Sequence, residues 1–202
     1  MRREPRCVAA GLLVFLLLGA CTTRVIPPGS VADPVTVYLV ESGWHATVCL
    51  PEGDGHVSCW DYGEWAYFAK GRDYCCRAIP AALWPTRATL ARCRFLVGSA
   101  PEAAVQAMLE RWLHGERSWR FTVERARSED LQDKLAALFA QAADTRIQPT
   151  EHPTQFVHHP QSYHLFSTCN HMTKRWLRRL GCAIAGPWLS WDYAVAQPAG
   201  GE

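Results

Sequence analysis

The segment that most restricts how this chain folds is Ser167-Thr168-Cys169-Asn170-His171, which runs directly into Met172 to Leu180. Met172, Trp176, Leu177 and Leu180 recur at helical spacing with Cys169 on the same stripe. The segment is therefore a helix with one apolar face, which must lie on a hydrophobic layer built elsewhere in the chain. Ser167 or Thr168 supplies the N-cap, Gly181 the stop, and Lys174, Arg175, Arg178 and Arg179 are expected on the outer face. A thiol in the first turn stands among backbone N–H groups that lack intrahelical acceptors, at the positive end of the helix dipole. Both effects favour thiolate, so Cys169 is a candidate nucleophile. The alternative is a buried structural cysteine or half of a disulfide.

The layer beneath that helix is expected to be an antiparallel sheet. Val35 to Val40 reads as a strand buried on both faces, Glu41-Ser42-Gly43 as a turn, and Trp44 to Leu50 as a second strand. Alternation puts His45, Thr47 and Cys49 on one face and Trp44, Ala46, Val48 and Leu50 on the other. Pro51 to Gly55 turns the chain again, as in a meander. Trp65 to Ala69 is expected as a third strand, Ala81 to Trp84 as a short helix stopped by Pro85, and Cys93 to Val97 as a further strand. Pro101 opens a helix with Val105, Met108, Leu109 and Trp112 inward, closed by Gly115, and Trp119 to Val123 alternates as a strand. Ser128 caps a helix through about Ala142, with Leu131, Leu135, Leu138 and Phe139 inward. Thr145 to Ser162 is polar and without periodicity, and long loops of this kind carry function more often than not. Ala185 to Ala196 adds a final apolar segment. The pattern predicts one α+β domain over residues 35–202, an antiparallel sheet with packed helices.

The N-terminal end reads as a leader over residues 1–20: Arg2, Arg3 and Arg6, then the apolar run Val8 to Leu18, then Leu18-Gly19-Ala20-Cys21. The run is short for a bilayer span, and Leu-Gly-Ala-Cys has the form of a bacterial lipobox. Cys21 is then the lipidation site, and residues 21–34 are lipid anchor and tether. The expected location is the bacterial cell envelope, held to the membrane and facing the periplasm. The three leader arginines and Glu4 account for the formal net charge of +2. The rest of the chain is balanced, and no basic face predicts nucleic-acid binding. Beyond Cys7 and Cys21 there are Cys49, Cys59, Cys75, Cys76, Cys93, Cys169 and Cys182, an odd set in an oxidising compartment. Three bridges and one free thiol, Cys169, account for it.

A cysteine nucleophile needs a base, and His45 is the histidine placed on a core strand. A strand histidine is otherwise an ordinary half-buried residue. Asp61, Glu64 and Asp73 are all candidates to orient its ring. A competing constellation is a metal centre built from Cys169 with His152, His158, His159, His164 and His171, although their spacing fits no fixed zinc pattern. A third is a non-catalytic envelope lipoprotein in which Cys169 pairs with another cysteine such as Cys182. No cofactor is expected.

Gly43-Trp44-His45, the aromatic segment leading to Gly71-Arg72-Asp73-Tyr74, and Tyr163-x4-Thr168-Cys169-Asn170 together resemble the bacterial lipoprotein domain family DUF2459. The likeness spans Val35 to about Trp191. The chain departs from the family at Met172, where tryptophan is usual, and at Ala69-Lys70-Gly71, where Gly-Trp-Gly is usual. The layout is similar to that of circularly permuted NlpC/P60-like, papain-like cysteine hydrolases. The family resemblance carries no established reaction; the layout, by analogy of fold, implies a Cys169-His45 dyad in thiol-dependent hydrolase or acyltransferase chemistry on an amide or ester. The expected envelope location makes peptidoglycan peptides or lipid acyl groups the candidate substrates. In papain-like enzymes a side-chain oxyanion donor stands six residues before the cysteine, and here that position is Tyr163.

Overall fold

The computed structural model describes residues 22–71, 84–150 and 152–196. Its strands are β1 (Thr22–Ile26), β2 (Pro34–Ser42), β3 (His45–Pro51), β4 (His56–Glu64), β5 (Thr86–Leu96), β6 (Arg117–Glu124), β7 (Gln155–Tyr163), β8 (Ala183–Ala185) and β9 (Asp192–Val195). Its helices are α1 (Trp65–Phe68), α2 (Glu102–Trp112), α3 (Arg125–Gln141) and α4 (Cys169–Arg179). Six strands make one antiparallel sheet in the order β6-β2-β3-β4-β5-β7, and β8-β1-β9 make a second, smaller one. The α+β class and the antiparallel sheet with packed helices are as expected. Among the described residues no helix is long and apolar enough to cross a membrane.

The β2-β3 hairpin sets the register that matters most. Ser42 pairs with His45 across a two-residue turn, and Gly43 takes φ +57° at its first position, where a left-handed residue is needed. Alternation then divides the sheet. Ala46, Val48 and Leu50 of β3 and Trp60 and Tyr62 of β4 face a core closed by Leu131, Leu135 and Phe139 of α3 and by Met172, Trp176 and Leu177 of α4. Cys49, Cys59, Cys93 and Phe95 face the other way, against Val105 and Leu109 of α2.

Several local expectations give way to tertiary context. Trp65 to Ala69 is not a strand, because the Glu64 carboxylate accepts from the Tyr67 N–H at 2.7 Å and starts the single helical turn of α1. Residues 145–162 are not all loop, since β7 pairs with β5 as an edge strand and a register shift between Arg87 and Thr89 accommodates Pro160. The helix expected from Ser128 begins at Arg125, because β6 ends at its N-cap residue Glu124, and Ser128 is buried within the helix. Lys174 is also buried: its ammonium donates to the carbonyls of Pro187 and Trp188 at 3.0 and 3.1 Å. The segment from residue 22 to 34 is not simply a tether, because β1 pairs with both β8 and β9 and puts Val25 in the main core. Cys21, the leader, Cys75, Cys76, Asp73 and most of the expected helix at Ala81 to Trp84 lie outside the described residues.

Candidate active site

His45 opens β3 and Cys169 opens α4. By alternation the His45 side chain belongs to the face carrying Thr47 and Asp61, while α4 packs on the opposite face. The two groups meet because each is the first residue of its element, so the contact forms at the rim of the sheet. The dock is held by α4 donors on the backbone either side of His45. Asn170 Nδ2 donates to the Trp44 carbonyl at 3.0 Å, Thr173 Oγ1 to the Ala46 carbonyl at 3.0 Å, and the Cys169 thiol stands 3.9 Å from the Trp44 carbonyl. Asn170 is itself held by the Tyr193 hydroxyl, at 3.1 Å from Oδ1.

Of the three acids left open by the sequence, the structure brings Asp61 to the imidazole. Its Oδ1 is 3.0 Å from His45 Nε2 and accepts from Thr47 Oγ1 at 2.5 Å. Glu64 is spent on capping α1. With Nε2 turned to Asp61, the buried Nδ1, which makes no hydrogen bond of standard geometry, is the nitrogen left for the thiol. Burial pushes the imidazole toward its neutral form, but the Asp61 carboxylate and the Cys169 sulfur outweigh it and raise the His45 pKa to about 10. Phe68 lies against the ring at a centroid distance of 4.8 Å. That approach requires Gly63, where a Cβ would stand 2.2 Å from the Phe68 ring.

Thr168 caps α4 in a capping box whose return arm is His171. The Thr168 N–H donates to His171 Nδ1 at 3.3 Å, and the two side chains are 2.9 Å apart. An accepting Nδ1 must be unprotonated. Burial, followed by repulsion from Lys174 and Arg175, lowers the His171 pKa to about 4. Tyr163 closes β7 and is buried in the main core, its ring stacked on that of Tyr62 at 5.9 Å. Tyr62 donates to the Ser162 carbonyl at 3.0 Å, and the Cys169 sulfur is among the groups that act on its hydroxyl.

The five loop histidines do not form a centre. His152 is bonded to the Trp112 carbonyl and to Thr154, His158 packs on Trp65, His159 on Tyr62, His164 near Phe166, and His171 caps α4. Among the described residues no three of His, Cys, Asp or Glu converge into a group that could hold a metal ion. Cys49 and Cys59, directly opposed on β3 and β4, form a disulfide, while Cys93, Cys169 and Cys182 are free thiols. The Cys169–Cys182 bridge is therefore not made.

A cavity of about 700 Å³ opens beside His45, walled by Trp44, Phe68, Trp112, Leu113 and Phe156. Among the described residues no lysine or arginine lines it, and its ionic pair, Asp61 with His45, is self-neutralising. Thr47, Phe68 and Gly63 were not singled out by the sequence as site residues. The alternation of β3 carries a signal for Thr47, two positions from His45, but none is local for the other two. Comparison of the chain with protein-family models, with curated proteins and with solved structures finds no match.

Proposed function

We propose that this protein is an envelope lipoprotein, anchored through Cys21, that performs thiol-dependent acyl chemistry on an amide or ester. Cys169 is the nucleophile and His45 the acid and base. The observation that carries the reading is the ordered set Asp61, His45, Cys169, in which one imidazole nitrogen is fixed by a carboxylate and the other is left for a thiol at a helix start.

In this scheme the Cys169 sulfur attacks the carbonyl carbon, the C–S bond forms, and the oxyanion is held by backbone N–H groups of the first turn of α4. Tyr163 or its stacking partner Tyr62 is the side-chain donor to test beside them. The imidazolium of His45 gives its proton to the leaving amine or alcohol as the bond to the carbonyl breaks. Acylation removes the sulfur's contribution to the raised His45 pKa, so the imidazole then accepts a proton more weakly held. It takes one from water, which attacks the thioester and releases the acid. An acceptor alcohol or amine in place of water gives acyl transfer. The largely aromatic wall of the cavity beside His45 suits an apolar acyl group, and among the described residues no lysine or arginine lines it to meet the carboxylates of a peptidoglycan stem peptide.

The test is hydrolysis of p-nitrophenyl esters of increasing acyl length, and of N-acyl amides, by the purified full chain in detergent. Cys169→Ala is expected to abolish turnover, and His45→Ala to reduce it by about 10²–10⁴. Asp61→Asn is expected to give an intermediate loss with a shifted pH profile. Turnover in Cys169→Ala equal to wild type would end the proposal.

A further inference from the structure

We infer that the aromatic rim around the start of α4 is a docking surface for an anionic lipid bilayer. Four large apolar side chains are exposed there: Trp44 at 74%, Phe166 at 64%, Trp188 at 48% and Leu189 at 42%. They are grouped, with Trp44 at 6.0 Å from Trp191 and Phe166 at 5.1 Å from Trp188. Their support is firm. Lys174 holds the carbonyls of Pro187 and Trp188 from one side, and the Ser190 hydroxyl bonds the Thr23 hydroxyl of β1 from the other. The loop from Pro187 to Trp191 is thus clamped between α4 and β1 while its apolar side chains point out. Burying them in an interface recovers hydrophobic free energy at little cost in ordering.

Two features identify a bilayer as the occupant. The first is where the chain leads. Thr22 is the Cα partner of Asp192, next to Trp191, and ahead of Thr22 come Cys21 and the apolar run Val8 to Leu18. The inference rests on the proposed N-terminal anchor: held by that run or by acyl groups on Cys21, the bilayer would meet the chain where it enters the fold at Thr22, beside the rim. The second is charge. Arg175 and Arg178 are exposed on α4 and share a shallow groove with Phe166, Ile184 and Trp188, and among the described residues no acid lines it. Asp192, the acid nearest the anchor, is already bonded to Thr22 and Arg117. Tryptophan at the headgroup level flanked by arginine is the composition of a membrane-interface surface, and each basic residue adds attraction to an anionic leaflet. Seated in this way, the protein holds Cys169 at the level of the lipid headgroups.

The experiment reconstitutes the full chain into phosphatidylcholine vesicles, with and without phosphatidylglycerol, carrying acyl chains brominated close to the headgroup. Tryptophan quenching by bromine is the readout. Co-flotation with the vesicles is measured alongside, so loss of quenching in a protein that still co-floats reports loss of docking, while failure to co-float reports failure of the anchor. Wild type is expected to be quenched, more strongly with phosphatidylglycerol. Most of the quenching should disappear in Phe166→Ser/Leu189→Ser, which keeps every tryptophan as a reporter, and persist in Leu96→Ser, an exposed apolar residue at the end of β5. Arg175→Gln/Arg178→Gln should remove the phosphatidylglycerol increment. Absence of quenching in wild type, or quenching unchanged in the Phe166→Ser/Leu189→Ser variant, overturns the inference. So does a rim covered by a second copy of the chain, seen as cross-linking at Trp188→Cys that persists in detergent. None of these outcomes depends on whether the dyad is active.

Discussion

Burial alone would keep the His45 imidazole neutral, and it is the facing pair of Asp61 and Cys169 that makes it hold a proton up to about pH 10. Its folded-state pKa therefore lies above the unfolded value of about 6.5. The stability it contributes is fully present below about pH 6.5 and is lost as pH rises through about 10. His45→Ala is expected to cost more in urea unfolding at pH 6 than at pH 10, and an equal cost at both would remove the charged imidazole. Asp61→Asn should drop the His45 titration midpoint, read by NMR, because the burial penalty is then opposed by the sulfur alone. Two of the free thiols are held in the protonated form by the same kind of burial. Burial pushes Cys93 up to about 11 and Cys182 up to about 12, so both stay protonated near neutrality. Iodoacetamide at pH 7 is expected to label Cys169 ahead of both, with peptide mapping as the check. Labelling of Cys93 or Cys182 at a comparable rate would mean that the core opens. The sequence reached Cys169 and His45 because each announces itself locally, one by a cap and an apolar stripe, the other by strand alternation. It left Asp61 tied with Glu64 and Asp73, because the choice among acids depends on which one the β3-β4 register carries to the ring.

At the scale of elements, α4 is the best determined part of the chain. Its N-cap is Thr168, the predicted apolar positions Cys169, Met172, Trp176, Leu177 and Leu180 are buried, although Asn170, His171, Thr173 and Lys174 are buried with them, and Gly181 at φ +93° ends it. The Gly181 N–H bonds to Arg178 and the Cys182 N–H to Leu177, the pattern of a Schellman stop. The cap makes the helix sensitive to acid. His171 has a folded pKa depressed to about 4, so its contribution is present above about pH 6.5 and is lost as pH falls through about 4. Thr168→Ala is expected to cost about 1 kcal/mol at pH 7 and less at pH 4. It should also slow Cys169 alkylation, since the thiol rides on the first turn. A cost that does not change with pH would show that His171 takes no part in the cap. The elements misread from sequence, α1, β7 and the start of α3, share a cause. Each is short or begins where the preceding element ends, and in such places one tertiary partner outweighs intrinsic preference: the Glu64 carboxylate, the β5 edge, or the end of β6.

For the whole molecule, β1 joins the two ends of the described chain, lying between β8 and β9 with Val25 fully buried in the main core. Val25→Ala is expected to lower stability by about 2 kcal/mol, and Val25→Asp to do far more by burying an unpaired charge. If residues 22–26 acted as a tether, both would be neutral in thermal unfolding. The same pairing brings Thr22, the first described residue, and the loop from Pro187 to Trp191 together, and Tyr193 of β9 ties them to Asn170 at the start of α4. The periodicities of the chain determined a layer of antiparallel strands, three amphipathic helices and a cysteine in a helix first turn. Those features depend on neighbours a few residues apart, and such neighbours can be read along the chain. Tertiary structure alone decided that Asp61 completes the pair, that Lys174 is buried as a clamp, that Cys49 bridges Cys59, and that β1 belongs to the domain. Each of those depends on register between strands or on contact between segments far apart in sequence, and no local pattern encodes either.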